Sequence, residues 1–198
     1  MAALQDSYKA GGGFPADFDN AFLLTAGGYT HYTQNFIPSS SYTLYSVKLP
    51  ISKGNDLDNV LLNIFAVDVD GKPTGAALAA SSNNVDGIGT GLTVTWFEFV
   101  LASSINVVAG TEYAISLTSL QFGMNGHVNW WYTYEPGIPS GEGEIYRVAA
   151  GSGVWSGPLG IYYGLGYETY DSFSPPAGRP TTKRLIAAAA SALWYEDV

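Results

Sequence analysis

His31 and His127 are the only histidines in the chain, and cysteine is absent. Neither histidine stands beside a readable Ser or Asp partner. No Gly-x-Ser-x-Gly elbow and no His-Glu-x-x-His zinc motif occurs. Without Cys there are no disulfides, thiolate nucleophiles or thiolate metal ligands. Asp68-Val69-Asp70-Gly71 resembles the start of a calcium loop, but Ala77 stands where an EF-hand loop needs its bidentate Glu. Asp56 or Asp58 would have to complete such a site, so Asp70 to Gly75 reads as a structural turn. Glu142 and Glu144, with Glu135 nearby, offer paired carboxylates of the glycosidase kind. Their setting, Pro139-Ser140-Gly141-Glu142-Gly143-Glu144, reads as a solvated loop rather than a desolvated acid site. The reading is therefore non-enzymatic, with no catalytic residue, metal or cofactor expected.

Aromatic residues are the better candidates for binding. Trp130 and Trp131 are adjacent in a strand-like run, so they must face opposite sides of a sheet. One belongs in a core. Trp131 shares its parity with His127 and Asn129, and these three form a possible sugar-stacking platform. Trp155 and Tyr162 are further members of that candidate glycan site, while Tyr132 and Tyr134 share the Trp130 face. The same residue types also anchor protein interfaces and fill sandwich cores.

Positioning such groups requires a scaffold, and the composition of this 198-residue chain says which kind. Hydrophobic residues make up 46% and charged residues 13%, about half the usual charged share. The chain can fill a core and is not disordered by composition. With 24 Gly, 10 Pro and 14 Tyr it favours pleated strands joined by many turns. A net charge of −9 argues against a nucleic-acid partner. No apolar run is long enough for a membrane helix, and residues 1–13 lack the pattern of a signal peptide.

Strands are expected at Ala21–Thr25, Tyr29–Phe36, Tyr42–Leu49, Val60–Val67, Val94–Val100, Tyr113–Thr118, Val128–Tyr134, Ile145–Val148, Ile161–Tyr163 and Tyr167–Tyr170. Tyr113-Ala114-Ile115-Ser116-Leu117-Thr118 alternates most cleanly, with the large apolar residues inward. Residues 1–20, with Gly11-Gly12-Gly13 and Phe14-Pro15, read as an irregular arm before a sandwich domain over 21–174. A Pro-rich linker spans 175–182, because each residue before Pro is pushed toward an extended conformation. The tail, 183–198, suits either a hairpin or a helix and carries Leu185, Ile186, Leu193, Trp194 and Tyr195.

A series of motifs between Tyr32 and Tyr134 resembles a known β-sandwich module. They are Gln34-Asn35-Phe36, Ser39-Ser40-Ser41-Tyr42-Thr43-Leu44, Ser46-Val47-Lys48-Leu49, Gly54-Asn55-Asp56-Leu57 and Asp70 to Gly75 with Leu78-Ala79. Trp96-Phe97-Glu98-Phe99, Ala109-Gly110-Thr111-Glu112-Tyr113-Ala114-Ile115 and Asn129-Trp130-Trp131 continue the series. Gly153-Val154-Trp155-Ser156 and Tyr167-Glu168-Thr169-Tyr170 look like its closing segment. The pattern resembles the jelly-roll modules of bacteriophage virion proteins and of bacterial choice-of-anchor surface proteins. That resemblance implies an all-β, jelly-roll-like antiparallel sandwich in a virion structural protein assembled in the host cytoplasm: a capsid decoration protein, head fibre or tail-associated accessory. Its partners would be other virion proteins and further copies of itself, met through Phe14, Phe18, Leu185, Ile186, Leu193, Trp194 and Tyr195. The alternative is a carbohydrate-binding or adhesion module that recognises bacterial surface glycans.

Overall fold

A computed structural model describes residues 3–8, 20–24, 29–54, 59–84, 88, 90, 93–119, 127–134, 144–149, 152–158, 163–165 and 167–171. Every regular element in them is a strand: β1 Leu4–Tyr8, β2 Asn20–Leu24, β3 Tyr29–Phe36, β4 Tyr42–Lys53, β5 Asn59–Val67, β6 Pro73–Asn84, β7 Thr95–Val107, β8 Tyr113–Ser119, β9 Val128–Tyr134, β10 Ile145–Ala149, β11 Trp155–Ser156, β12 Tyr163–Leu165 and β13 Tyr167–Tyr170.

The strands make an antiparallel β-sandwich of two sheets. One sheet runs β11-β10-β3-β8-β5-β6. The other is built around the long strand β4, which pairs with β7 along one edge and with β13 and then β9 along the other. β13 carries β1, and β9 carries β2 and β12. A single parallel pair, Leu24 with Tyr29, joins the two ladders.

Alternation decides which side of each strand is buried. In register across the first sheet, Ile145, Gln34, Ile115, Ile64 and Ala79 form one inward row, and Tyr32, Leu117 and Leu62 form the next. They face Leu44, Val47, Leu49, Ile51, Phe99, Val128 and Trp130 of the second sheet. Phe36 bridges the layers, its ring 5.7 Å from Tyr113 and 5.9 Å from Tyr167. A register shift between Leu44 and Ser46 changes the inward parity of β4 from Tyr42 and Leu44 to Val47, Leu49 and Ile51. A similar shift between Ile64 and Ala66 interrupts the β5–β6 ladder.

The strands expected from alternation are present over the described residues, with β7 running past its expected end at Val100 to Val107, and four further features differ from the sequence reading. The 1–20 arm is not irregular throughout, because Leu4–Tyr8 adds an edge strand to β13. β4 continues through Pro50 to Lys53. β6 is rich in Ala, Ser and Asn and is held by its ladder to β5 rather than by β propensity. Trp155-Ser156 pairs with β10 as a short strand of its own.

Candidate functional site

The outer face of the second sheet carries the clearest group of binding residue types. β9 buries Trp130 completely and leaves Trp131 half-buried on the opposite side. The Trp131 indole N–H donates to Ser52 Oγ at 3.2 Å, and the Asn129 side-chain amide donates to the same oxygen at 3.1 Å. Ser52 therefore fixes both groups on one face. His127, half-buried at the start of this segment, accepts the Gly54 N–H through its backbone carbonyl at 2.8 Å.

Moving along β4 on the same parity, Pro50 pairs with Trp96, and Lys48 pairs with Glu98 on one side and Glu168 on the other. Ser46 Oγ donates to Glu98 Oε1 at 2.8 Å, and the Tyr170 hydroxyl donates to Glu168 Oε2. The Lys48 ammonium lies 4.4 Å from the centre of the Tyr170 ring and 3.4 Å from its hydroxyl. Burial, the Glu168 bond and the two carboxylate charges push the Tyr170 phenol well above its ordinary range, so it stays a neutral donor. The result is a strip with aromatic faces at one end and alternating charge at the other. Trp96 and Glu98 were not singled out from sequence. The signal was there: Phe97 and Phe99 are inward, so their neighbours must be outward.

Trp155 does not join this strip. It pairs with Val148 at the edge of the first sheet, with its ring 5.8 Å from His31 and 6.3 Å from Phe65, edge-on to both. The candidate glycan platform is thus divided between the two sheets. Parity relates residues of one strand and cannot place a residue from a distant strand. Arg147, of the opposite parity, stacks on Tyr29 with its guanidinium carbon 3.9 Å from the ring centre. Tyr162 lies outside the described residues.

The acidic residues divide similarly. Asp68 caps its own turn, Oδ1 accepting the backbone N–H groups of Asp70 and Lys72 at 2.9 Å each, as a structural turn should. Glu144 is not a solvated loop residue. Its backbone carbonyl accepts the Asn35 N–H at 3.1 Å, and its carboxylate accepts the Tyr146 hydroxyl at 2.7 Å. The start of β10 therefore holds it against β3. Glu135 and Glu142 lie outside the described residues. Among the described residues, no three His, Asp or Glu side chains gather as a metal-binding group. No helix among them is long and apolar enough to cross a membrane.

The assembly candidates Phe14, Phe18, Leu185, Ile186, Leu193, Trp194 and Tyr195 also lie outside the described residues. What is described is where the first residues of the arm meet β13 and Asp171 of the sandwich. Ala3 donates its N–H to Asp171 Oδ1 at 2.9 Å, Asp171 returns a backbone bond to Ala3 O, and the Gln5 amide donates to Asp171 Oδ2 at 3.0 Å. Asp6 binds Ser39 through its carboxylate and Thr169 through its backbone. No family model matches the sequence, and no curated protein matches it.

Proposed function

We propose that this chain is a non-enzymatic, jelly-roll-type structural protein of a bacteriophage virion. It assembles through its N-terminal arm and its apolar tail beside other virion proteins and copies of itself. The observation that carries this reading is the junction of Ala3, Gln5 and Asp171 at the β1–β13 edge. Segment 9–19 follows β1, and the linker (175–182) and tail (183–198) follow the sandwich after Asp171. Both candidate assembly segments therefore follow strands of one ladder, the arm leaving at its Tyr8–Tyr167 end and the chain after Asp171 at its Ala3 end. The sequence resemblance supports the same assignment.

Light scattering on the full chain and on a protein ending at Ser174 tests it. The expected result is an assembled species that falls to monomer on truncation, with an unchanged circular dichroism spectrum. Equal masses for both forms, together with normal incorporation of the truncated form into particles, would overturn the tail's role. A second reading, glycan recognition, is favoured by the Trp131–Ser52–Asn129 arrangement beside Trp96.

A further inference from the structure

One arginine of the first sheet carries a charge that no described acid answers. In register, Arg147 of β10 stands between Tyr32 of β3 and Ser156 of β11, so the three share one side of the sheet. Tyr32 is 3% exposed and belongs to the core, which makes that side the inward one. Tyr29, opposite Ala149 on the same side, has its ring centre 3.9 Å from the Arg147 guanidinium carbon. Among the described residues, no Asp or Glu pairs with Arg147. The chain holds 17 acidic residues against 8 basic ones, so a half-buried guanidinium without a carboxylate is the less expected outcome.

The donors of this side chain show what it can still bind. A guanidinium offers N–H groups in a fixed fork and accepts nothing. Arg147 Nε is buried without a partner, whereas neither Nη is. The two Nη nitrogens therefore meet the Tyr32 hydroxyl or solvent. Burial raises the Tyr32 phenol, and the charge and hydrogen bond of Arg147 oppose that rise. A neutral hydroxyl occupies a donor but does not neutralise the charge. Ser156 turns its own hydroxyl to the Arg147 backbone carbonyl, at 3.2 Å. The fork is left with donors and no anion.

We propose that Arg147, held by Tyr29 and Tyr32, is a receptor for a carboxylate. The Tyr29 ring backs the flat face of the guanidinium and so fixes the plane in which its N–H groups point. A carboxylate is planar and accepts two parallel N–H bonds in that plane. Partial burial shields such a pair from salt more than an open surface does. One carboxylate brings one negative charge for the one positive charge present. A phosphate dianion would leave an excess on a chain whose net charge is already −9. The carboxylate comes from a free organic acid or from an Asp or Glu side chain of a second copy. The site shares no residue with the proposed assembly segments or with the outer strip of the second sheet, so it stands without either reading.

Thermal melts and light scattering on the full-length protein test this, with acetate replacing chloride at constant ionic strength and neutral pH. If the ligand is a free acid, acetate at about 100 mM should raise the melting temperature by about 2 °C or more without changing the mass. If a second copy supplies the carboxylate, acetate should lower the assembled mass, and Arg147→Gln should lower it equally. Either result supports the receptor, and the two separate its sources. Arg147→Gln should abolish the acetate effect. Arg147→Lys should lose about half of it or more, because it keeps the charge without the planar fork. Should Arg147→Gln fail to fold, the lysine variant and the anion series on the wild type still decide. An acetate effect matched by sulfate would show general screening, and a larger effect of phosphate would show the wrong anion class. Either would overturn the site, as would an undiminished effect in Arg147→Lys or no acetate response in melting temperature or mass.

Discussion

His31 has its Nδ1 2.8 Å from the Thr30 hydroxyl and its ring edge-on to Trp155. Burial lowers its pKa below the ordinary 6.5, because the imidazolium loses water there. The unfolded chain then binds a proton more readily than the folded one. This contribution is fully present above the unfolded value and is lost as pH falls through 6.5 toward the folded value. Glu112 has the opposite sign. Its folded pKa is raised, so its effect favours the fold at low pH and is lost as pH rises above 4.5 through the folded value. Between about pH 7.5 and 6 the histidine should dominate, since its unfolded pKa lies inside that interval. Calorimetric melts should show the wild type losing stability over that interval and His31→Gln losing less. An identical slope in the variant would remove His31 as the cause. The sequence identified the two histidines as non-catalytic candidates but gave no sign of this coupling, because Trp155 reaches His31 from another strand.

At the scale of elements, alternation carried most of the legible information. β3, β9 and β13 have the bounds that their apolar and aromatic patterns predict. Trp130 and Trp131 separate to opposite faces, as adjacent strand residues must. β1 and β6 were not legible for a shared reason. Leu4-Gln5-Asp6-Ser7-Tyr8 and the Ala-Ser-Asn run of β6 have weak intrinsic preference, and their strand geometry comes from the ladder beside them. The parity change in β4 was equally invisible, because it depends on β7, which sets Leu101 to Ser104 opposite the single residue Tyr45. β1 gives this level its prediction. Thr169 is fully buried, and its hydroxyl joins the Tyr42 hydroxyl at 2.7 Å to the backbone of Asp6. Deleting residues 1–8 strips that network and re-exposes the edge of β13. Amide exchange at Tyr167–Tyr170 should accelerate by at least tenfold, while β8, interior to the other sheet, keeps its protection. Unchanged exchange at β13 would mean that β1 contributes no stability to that edge.

For the whole molecule, the two functional readings use different parts of the same sandwich. Assembly as proposed would use the segments that follow β1 and β13, whereas glycan recognition would use the outer strip of β4, β7 and β9. The strip also explains why only part of the candidate site was readable. His127, Asn129 and Trp131 belong to one segment and share parity, but Ser52, Trp96 and Lys48 enter through cross-strand register, which sequence does not display. If the strip binds saccharides, the two indoles provide stacking surfaces, and Asn129 with the Lys48–Glu98–Glu168 row provides hydroxyl partners. Trp131→Ala and Trp96→Ala should each lower glycan affinity by tenfold or more, equivalent to about 1.4 kcal/mol. Trp155→Ala should leave it unchanged, since Trp155 lies on the other sheet with His31 and Phe65. Glycan screening followed by titration calorimetry on these three variants separates the faces. Binding that survives both Trp131→Ala and Trp96→Ala would rule out the strip, and loss confined to Trp155→Ala would transfer the binding face to the first sheet. A full-length protein that binds no glycan, yet assembles through 175–198, would leave the strip as the outward surface of a structural subunit.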